Sequence, residues 1–143
     1  MDRTETYIKQ CEKAEEIQDS VRQYIIVEKA KVGWLRTSAV GEVINAIDHN
    51  GEVFIFSDAT WLPTQAQLQE MVPTKFGSTR PNFKMISELN HFFDYWDTNG
   101  IPYFLSTWEQ LWLAFVMFEL HNKVWNGDDW IKEIGNERTT NTI

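Results

Sequence analysis

The sequence predicts an α+β fold: a small antiparallel sheet with a β-hairpin over about 42–56, packed by three to four helices. Three observations lead there. Apolar residues recur every three to four positions near both ends of the chain. Short β-branched and aromatic runs cluster in the first half, around an Asn50-Gly51 pair. With 143 residues, 43% of them hydrophobic, the chain can bury one sizeable core and asks for no second. A single domain over 1–143 is expected, with a loose polar tail from about 135.

The first element expected is a helix from Thr4 to about Val21, with Ile8, Cys11, Ala14, Ile17 and Val21 on one side and Glu12, Lys13, Glu15 and Glu16 on the other. Tyr24 to Val27 is a β-branched run of strand length, and Lys31 to Leu35 reads as a second short strand or a loop. Glu42 to Ile47 and Glu52 to Phe56 flank Asp48-His49-Asn50-Gly51 as the arms of the hairpin, since a type I′ turn needs positive φ at both central residues. Val53 to Phe56 is apolar on both faces, as in a strand covered on both sides.

Trp61-Leu62-Pro63 closes the sheet region, and Thr64 caps a short helix through Val72 that turns Leu68, Met71 and Val72 inward. Lys75 to Asn82 is the most loop-like stretch. Lys84 to Asn99 is a helix with Ile86, Leu89, Phe93 and Trp96 as its stripe, stopped by Asn99-Gly100. After an extended link at Ile101 to Leu105, Ser106-Thr107-Trp108-Glu109 matches a capping box. The helix behind it, Thr107 to about Val124, is apolar all round from Leu111 to Phe118, so the fold or a partner subunit buries it. Trp125 to Trp130 is a turn carrying two tryptophans.

The formal charge is −8 and the isoelectric point about 4.8, which speaks against direct DNA or RNA binding, because counterion release from phosphate needs a basic face. The opening MDRTETYIKQ has no apolar signal region, and Leu111 to Phe118 is far shorter than the roughly 20 residues that span a bilayer. A protein of the cytoplasm, away from membranes, is expected. Cys11 is alone, so neither a disulfide nor a cysteine metal cluster forms within the chain.

Catalytic patterns do not emerge. His49, His91 and His121 lack zinc spacing, and no nucleophile elbow, phosphate loop or dinucleotide fingerprint is present. Asp94 with Asp97, and Asp128 with Asp129, read as a solvated helix face and a turn rather than acid–base pairs. The expectation is therefore a binding protein, with no catalytic residue, no metal and no cofactor. Its aromatic content is unusual, with seven Trp and nine Phe. Core packing explains most of these. A binding surface is the other explanation, and an aromatic face beside a guanidinium suits an anionic, nucleotide-like ligand. Trp34 with Arg36, and Phe76 with Arg80, are the candidate ligand-binding residues.

Three segments also carry a resemblance: Tyr7–Gln18 (YIKQCEKAEEIQ), Trp61–Val72 (WLPTQAQLQEMV) and Thr107–Trp130 (TWEQLWLAFVMFELHNKVWNGDDW). Together they resemble a family of small bacteriophage and prophage proteins of Gram-positive bacteria, the third block being the most specific. Thr64 and Ala66 stand where that family has charged residues. The family has no assigned activity, so no residue role carries over; what the resemblance implies is origin as a phage accessory gene. By analogy with such genes, the chain is expected to antagonise host antiviral defence by sequestering a nucleotide-derived signalling molecule, as a homo-oligomer held through the helix from Trp108. The alternatives are an acidic inhibitor docking on a host defence or nucleic-acid-binding protein, and a phage structural or replication accessory protein.

Overall fold

The stripe Ile8, Cys11, Ile17, Val21 is buried on one side as its spacing predicts, but it belongs to two helices rather than one. The computed structural model describes residues 1–21, 32–37, 41–46, 59–72, 81–98 and 107–132, without the side chains of 81, 82 and 95–98. Helix α1 runs Glu5–Lys13, capped by Thr4 Oγ1 accepting from the Tyr7 amide at 3.2 Å. Helix α2 runs Glu15–Asp19. Between them Ala14 leaves helical geometry (φ −86, ψ 73), and its N–H turns to the Cys11 carbonyl. The break deprives the Gln10 and Cys11 carbonyls of their partners four residues on. Two side chains replace them, one distant and one from α2: Trp130 Nε1 donates to Gln10 O at 2.8 Å, and Gln18 Nε2 to Cys11 O at 3.0 Å.

The sheet follows. Strand β1 (Trp34–Thr37) lies between β2 (Val43–Asn45) and β3 (Ala59–Leu62), antiparallel to both. Leu35 faces Ile44 on one side and Trp61 on the other. The predicted hairpin arm at 42–47 thus appears as β2, with β1 as the partner that precedes it; the other arm, the 48–51 turn and the 24–27 run lie outside the described residues. The outer edge of β3 meets Gln18 instead of a strand. Trp61 N–H donates to Gln18 Oε1 at 2.8 Å, and Gln18 Nε2 donates to Trp61 O at 2.9 Å, so one side-chain amide mimics a ladder step.

Thr64 caps helix α3 (Gln65–Glu70), and Gln67 completes a capping box by returning Oε1 to the Thr64 amide at 2.8 Å. Leu68 and Val72 are fully buried, while Met71 is half-buried. Helix α4 (Pro81–Thr98) starts on a proline, whose missing N–H costs nothing in a first turn. Its buried side corrects the predicted stripe: Met85 and Phe92 are inward, whereas Ile86 and Phe93 are 63% and 45% exposed. The helix is apolar on two sides, so periodicity could not choose. The choice falls on Phe92, whose ring meets Phe115 and Phe118 at 5.6 and 5.4 Å.

Helix α5 (Trp108–His121) is the centre of the core, every residue from Leu111 to Phe118 being buried by the chain itself. Each such large side chain contributes about 1.5–3 kcal/mol relative to exposure. An oligomer is therefore not needed to cover it. Its N-cap is Thr107, one residue later than the predicted Ser106 box. The third residue, Gln110, sends its side chain to Asp2 rather than back to the cap. The helix also ends earlier than predicted, at Asn122 in the left-handed region (φ 55), which asparagine tolerates. Strands β4 (Lys123–Trp125) and β5 (Trp130–Lys132) then form a hairpin whose Trp125 and Trp130 pair with ring centroids 5.2 Å apart. Both are buried, as are Trp61 and Trp112, so the core explanation holds for these four. The expected tail lies outside the described residues. No described helix is long and apolar enough to cross a membrane.

Candidate functional site

Side chains alternate along a strand, so burying Leu35 turns Trp34 and Arg36 to the opposite face of β1. The register sets Asn45 and Leu62 beside Trp34, and Val43 and Thr60 beside Arg36. The β1–β2 turn passes through Gly41 at φ +69, and a Cβ there would lie 3.9 Å from Arg36 Nη2. Only glycine takes that backbone readily. Trp34 packs against the core and is half-buried.

The start of α1 comes to this face. Arg3, 31 positions before Trp34 in the chain (34 minus 3), places its guanidinium carbon 4.4 Å from the Trp34 ring centroid. Glu5 Oε2 stands 4.0 Å from Arg36 Nη1, the outer limit of an ion pair, with its side chain 83% exposed. Arg36 Nε is buried with no hydrogen-bond partner among the described residues. One permanent cation thus lies over the indole, and a second, on the same strand face, meets a loosely held carboxylate. Phe76 and Arg80, the other candidates, lie outside the described residues. Arg3 carried no sequence signal, because nothing in the chain's periodicity links it to Trp34.

Arg3 is held at its backbone by its neighbours. Asp2 is buried between the first turns of α1 and α5, accepting from Thr4 N at 2.8 Å, Thr4 Oγ1 at 2.7 Å, Gln110 Nε2 at 3.0 Å and the Thr107 hydroxyl. Burial pushes its carboxyl up, and these hydrogen bonds outweigh it, leaving the carboxyl below its ordinary value. Both helix N-termini favour that anion.

A second feature lies at the other end of α1. Glu12, Glu15, Glu16, Asp19 and Asp129, with Lys13, Lys123 and Trp130, line an open cleft of about 790 Å³ between α1–α2 and the β4–β5 hairpin. Lys123 pairs with Glu16 across it. Burial raises the Glu16 carboxyl, and its hydrogen bond and charge pairing with Lys123, a backbone hydrogen bond and the nearby His121 together outweigh it, for a net downward shift. Lys9 pairs with Asp128 at 2.9 Å and holds that carboxyl low.

The remaining reactive groups serve packing. Burial pushes the Cys11 thiol well up, only partly offset by its hydrogen bond with Tyr7, so it stays protonated at neutral pH. Burial and the neighbouring Cys11 raise Tyr7 in turn, and its hydroxyl donates to Pro63 O at 2.6 Å. His91 and Asp94 are exposed on α4. Among the described residues no group of three or more His, Cys, Asp and Glu is placed to hold a metal ion. Comparison with family models, curated proteins and solved structures finds no match to this chain.

Proposed function

We propose that this chain is a non-catalytic binding protein that captures a planar, phosphate-bearing ligand of the nucleotide class on the Trp34–Arg36 face. The observation that carries this reading is the convergence of Arg3, Trp34 and Arg36: an aromatic platform with one guanidinium over it and a second two residues along the strand, the two facing one exposed carboxylate, Glu5, at 4.0 Å. The net charge of −8 does not oppose it. The carboxylate on this face is Glu5, and the acidic cleft begins at Glu12, seven residues and so about 10 Å further along α1, beyond the roughly 8 Å over which charge is felt in physiological salt. Set beside the resemblance to phage proteins, such capture would withdraw a nucleotide-derived signal from host antiviral defence in the host cytoplasm.

The test is native mass spectrometry of the protein purified from phage-infected and from uninfected cells. A retained species of a few hundred daltons, present only after infection and lost in Trp34→Ala, is the expected result. Bare protein from both sources would overturn the reading. The acidic cleft favours a second reading, docking on a cationic surface of a host protein. Reversing Glu12, Glu15 and Asp19 to lysine would then abolish capture of that host protein in a pull-down, while leaving small-ligand retention intact.

A further inference from the structure

Resting on the ligand reading above, we propose that Arg3 is the gate of the Trp34 site and, once displaced, a ligand for the phosphate, so that the site selects a nucleotide carrying a single phosphate. The Arg3 guanidinium covers the face of the Trp34 ring at 4.4 Å, where an aromatic base would stack. Trp34 also packs against the core, and the ring face that Arg3 covers takes an incoming ring only as Arg3 leaves. Arg3 is built to leave without being lost. Its side chain is exposed, while the backbone on either side is pinned by the buried Asp2 carboxylate and the Thr4 cap. A guanidinium tethered in this way swings through a few ångströms about a fixed point.

Its destination follows from Arg36. That side chain lies two residues along the same face, about 7 Å of strand from Trp34. Its Nε is buried without a partner among the described residues, and its Nη1 meets only the outer, exposed carboxylate of Glu5 at 4.0 Å. A phosphate arriving with the stacked ring is an anion that Arg3 can meet once it has left the ring and that can take Arg36 from the exposed Glu5 carboxylate at 4.0 Å, and the planar fork of arginine matches its oxygens. Longer polyphosphates bring further charge that proteins ordinarily meet with a carboxylate-held divalent cation. Among the described residues no group of carboxylates is placed to hold such a cation, and the exposed Glu5 beside Arg36 opposes each further phosphate.

The experiment is calorimetric titration of the full chain with paired probes: AMP and adenosine, GMP and guanosine, UMP and uridine, and ATP for charge. Wild type, Arg3→Ala and Trp34→Ala are compared, with thermal melting to confirm that each variant is folded. For the best-bound pair, Arg3→Ala should weaken the monophosphate about tenfold, the loss of one charge-assisted hydrogen bond. It should leave the nucleoside equal or tighter, because the competitor for the ring is gone. ATP should bind more weakly than the monophosphate. Monophosphate affinity unchanged in Arg3→Ala, or monophosphate and nucleoside weakened alike, overturns the gate while leaving the ligand reading standing on the Trp34→Ala loss. Absence of binding by every probe overturns both.

Discussion

Replacing Gln18 with methionine, which keeps length and bulk but removes the amide, tests how the helix break and the sheet edge are joined. The Gln18 side chain is 4% exposed and makes three hydrogen bonds: to Cys11 O at 3.0 Å, to Trp61 O at 2.9 Å and from Trp61 N–H at 2.8 Å. Each is worth about 1 kcal/mol net, and a buried backbone group left without a partner costs about 1–3 kcal/mol. Cys11 O keeps the Ala14 amide, so the main cost falls on the two Trp61 groups. A loss of about 3 kcal/mol is expected, a large share of the 5–15 kcal/mol typical of a domain. Urea unfolding followed by tryptophan fluorescence reads it directly. With an m-value of about 2 kcal/mol/M, the midpoint should fall by about 1.5 M at unchanged slope. Gln18→Glu should be no better, since its carboxylate faces two carbonyl oxygens. A midpoint shift below about 0.3 M for the methionine variant would refute the reasoning, showing that the β3 edge is held by something other than this amide.

Two further outcomes follow from buried groups. The Asp2 carboxyl is depressed in the folded state, so its contribution is present above the unfolded value near pH 4 and is lost as pH falls through the folded value. Asp2→Asn should cost about 2–3 kcal/mol at pH 7, and its deficit against wild type should narrow below pH 4 in thermal melts; a constant deficit would refute the charge argument. Cys11 is fully buried with its thiol pushed up. A thiol reagent should therefore label it at least ~1,000-fold more slowly in native buffer than in urea, at the rate of structural opening, and native labelling at the free-thiol rate would contradict its placement.

Local chemistry was legible before any tertiary contact. Thr64 as a cap, the inward Leu68 and Val72, the α5 helix and the α+β class all follow from short-range spacing and capping. The candidate site was legible only in part. Trp34 and Arg36 are neighbours on one strand face and could be paired from period-two spacing, whereas Arg3 reaches them from another element. The acidic cleft was half visible: Glu12, Glu15, Glu16 and Asp19 share the polar side of the first helical segment, but its second wall, with Lys123, Asp129 and Trp130, comes from the far end of the chain.

The sequence by itself determined which residues are apolar, where most helices begin, and that one small core with a short antiparallel sheet would form, because these depend on interactions within a few residues. Tertiary structure decided the rest. The helix breaks at Ala14 because Trp130 and Gln18 can satisfy the carbonyls it releases. Helix α4 buries Phe92 rather than Phe93 because the α5 aromatics wait on that side. The α5 cap moves to Thr107 because Asp2 engages its hydroxyl and Gln110. For α4 and the α5 cap, local propensity left neighbouring choices and a partner more than 20 residues away supplied the difference; at Ala14 local propensity favours an unbroken helix, and Trp130, from the far end of the chain, joins the nearby Gln18 in overriding it.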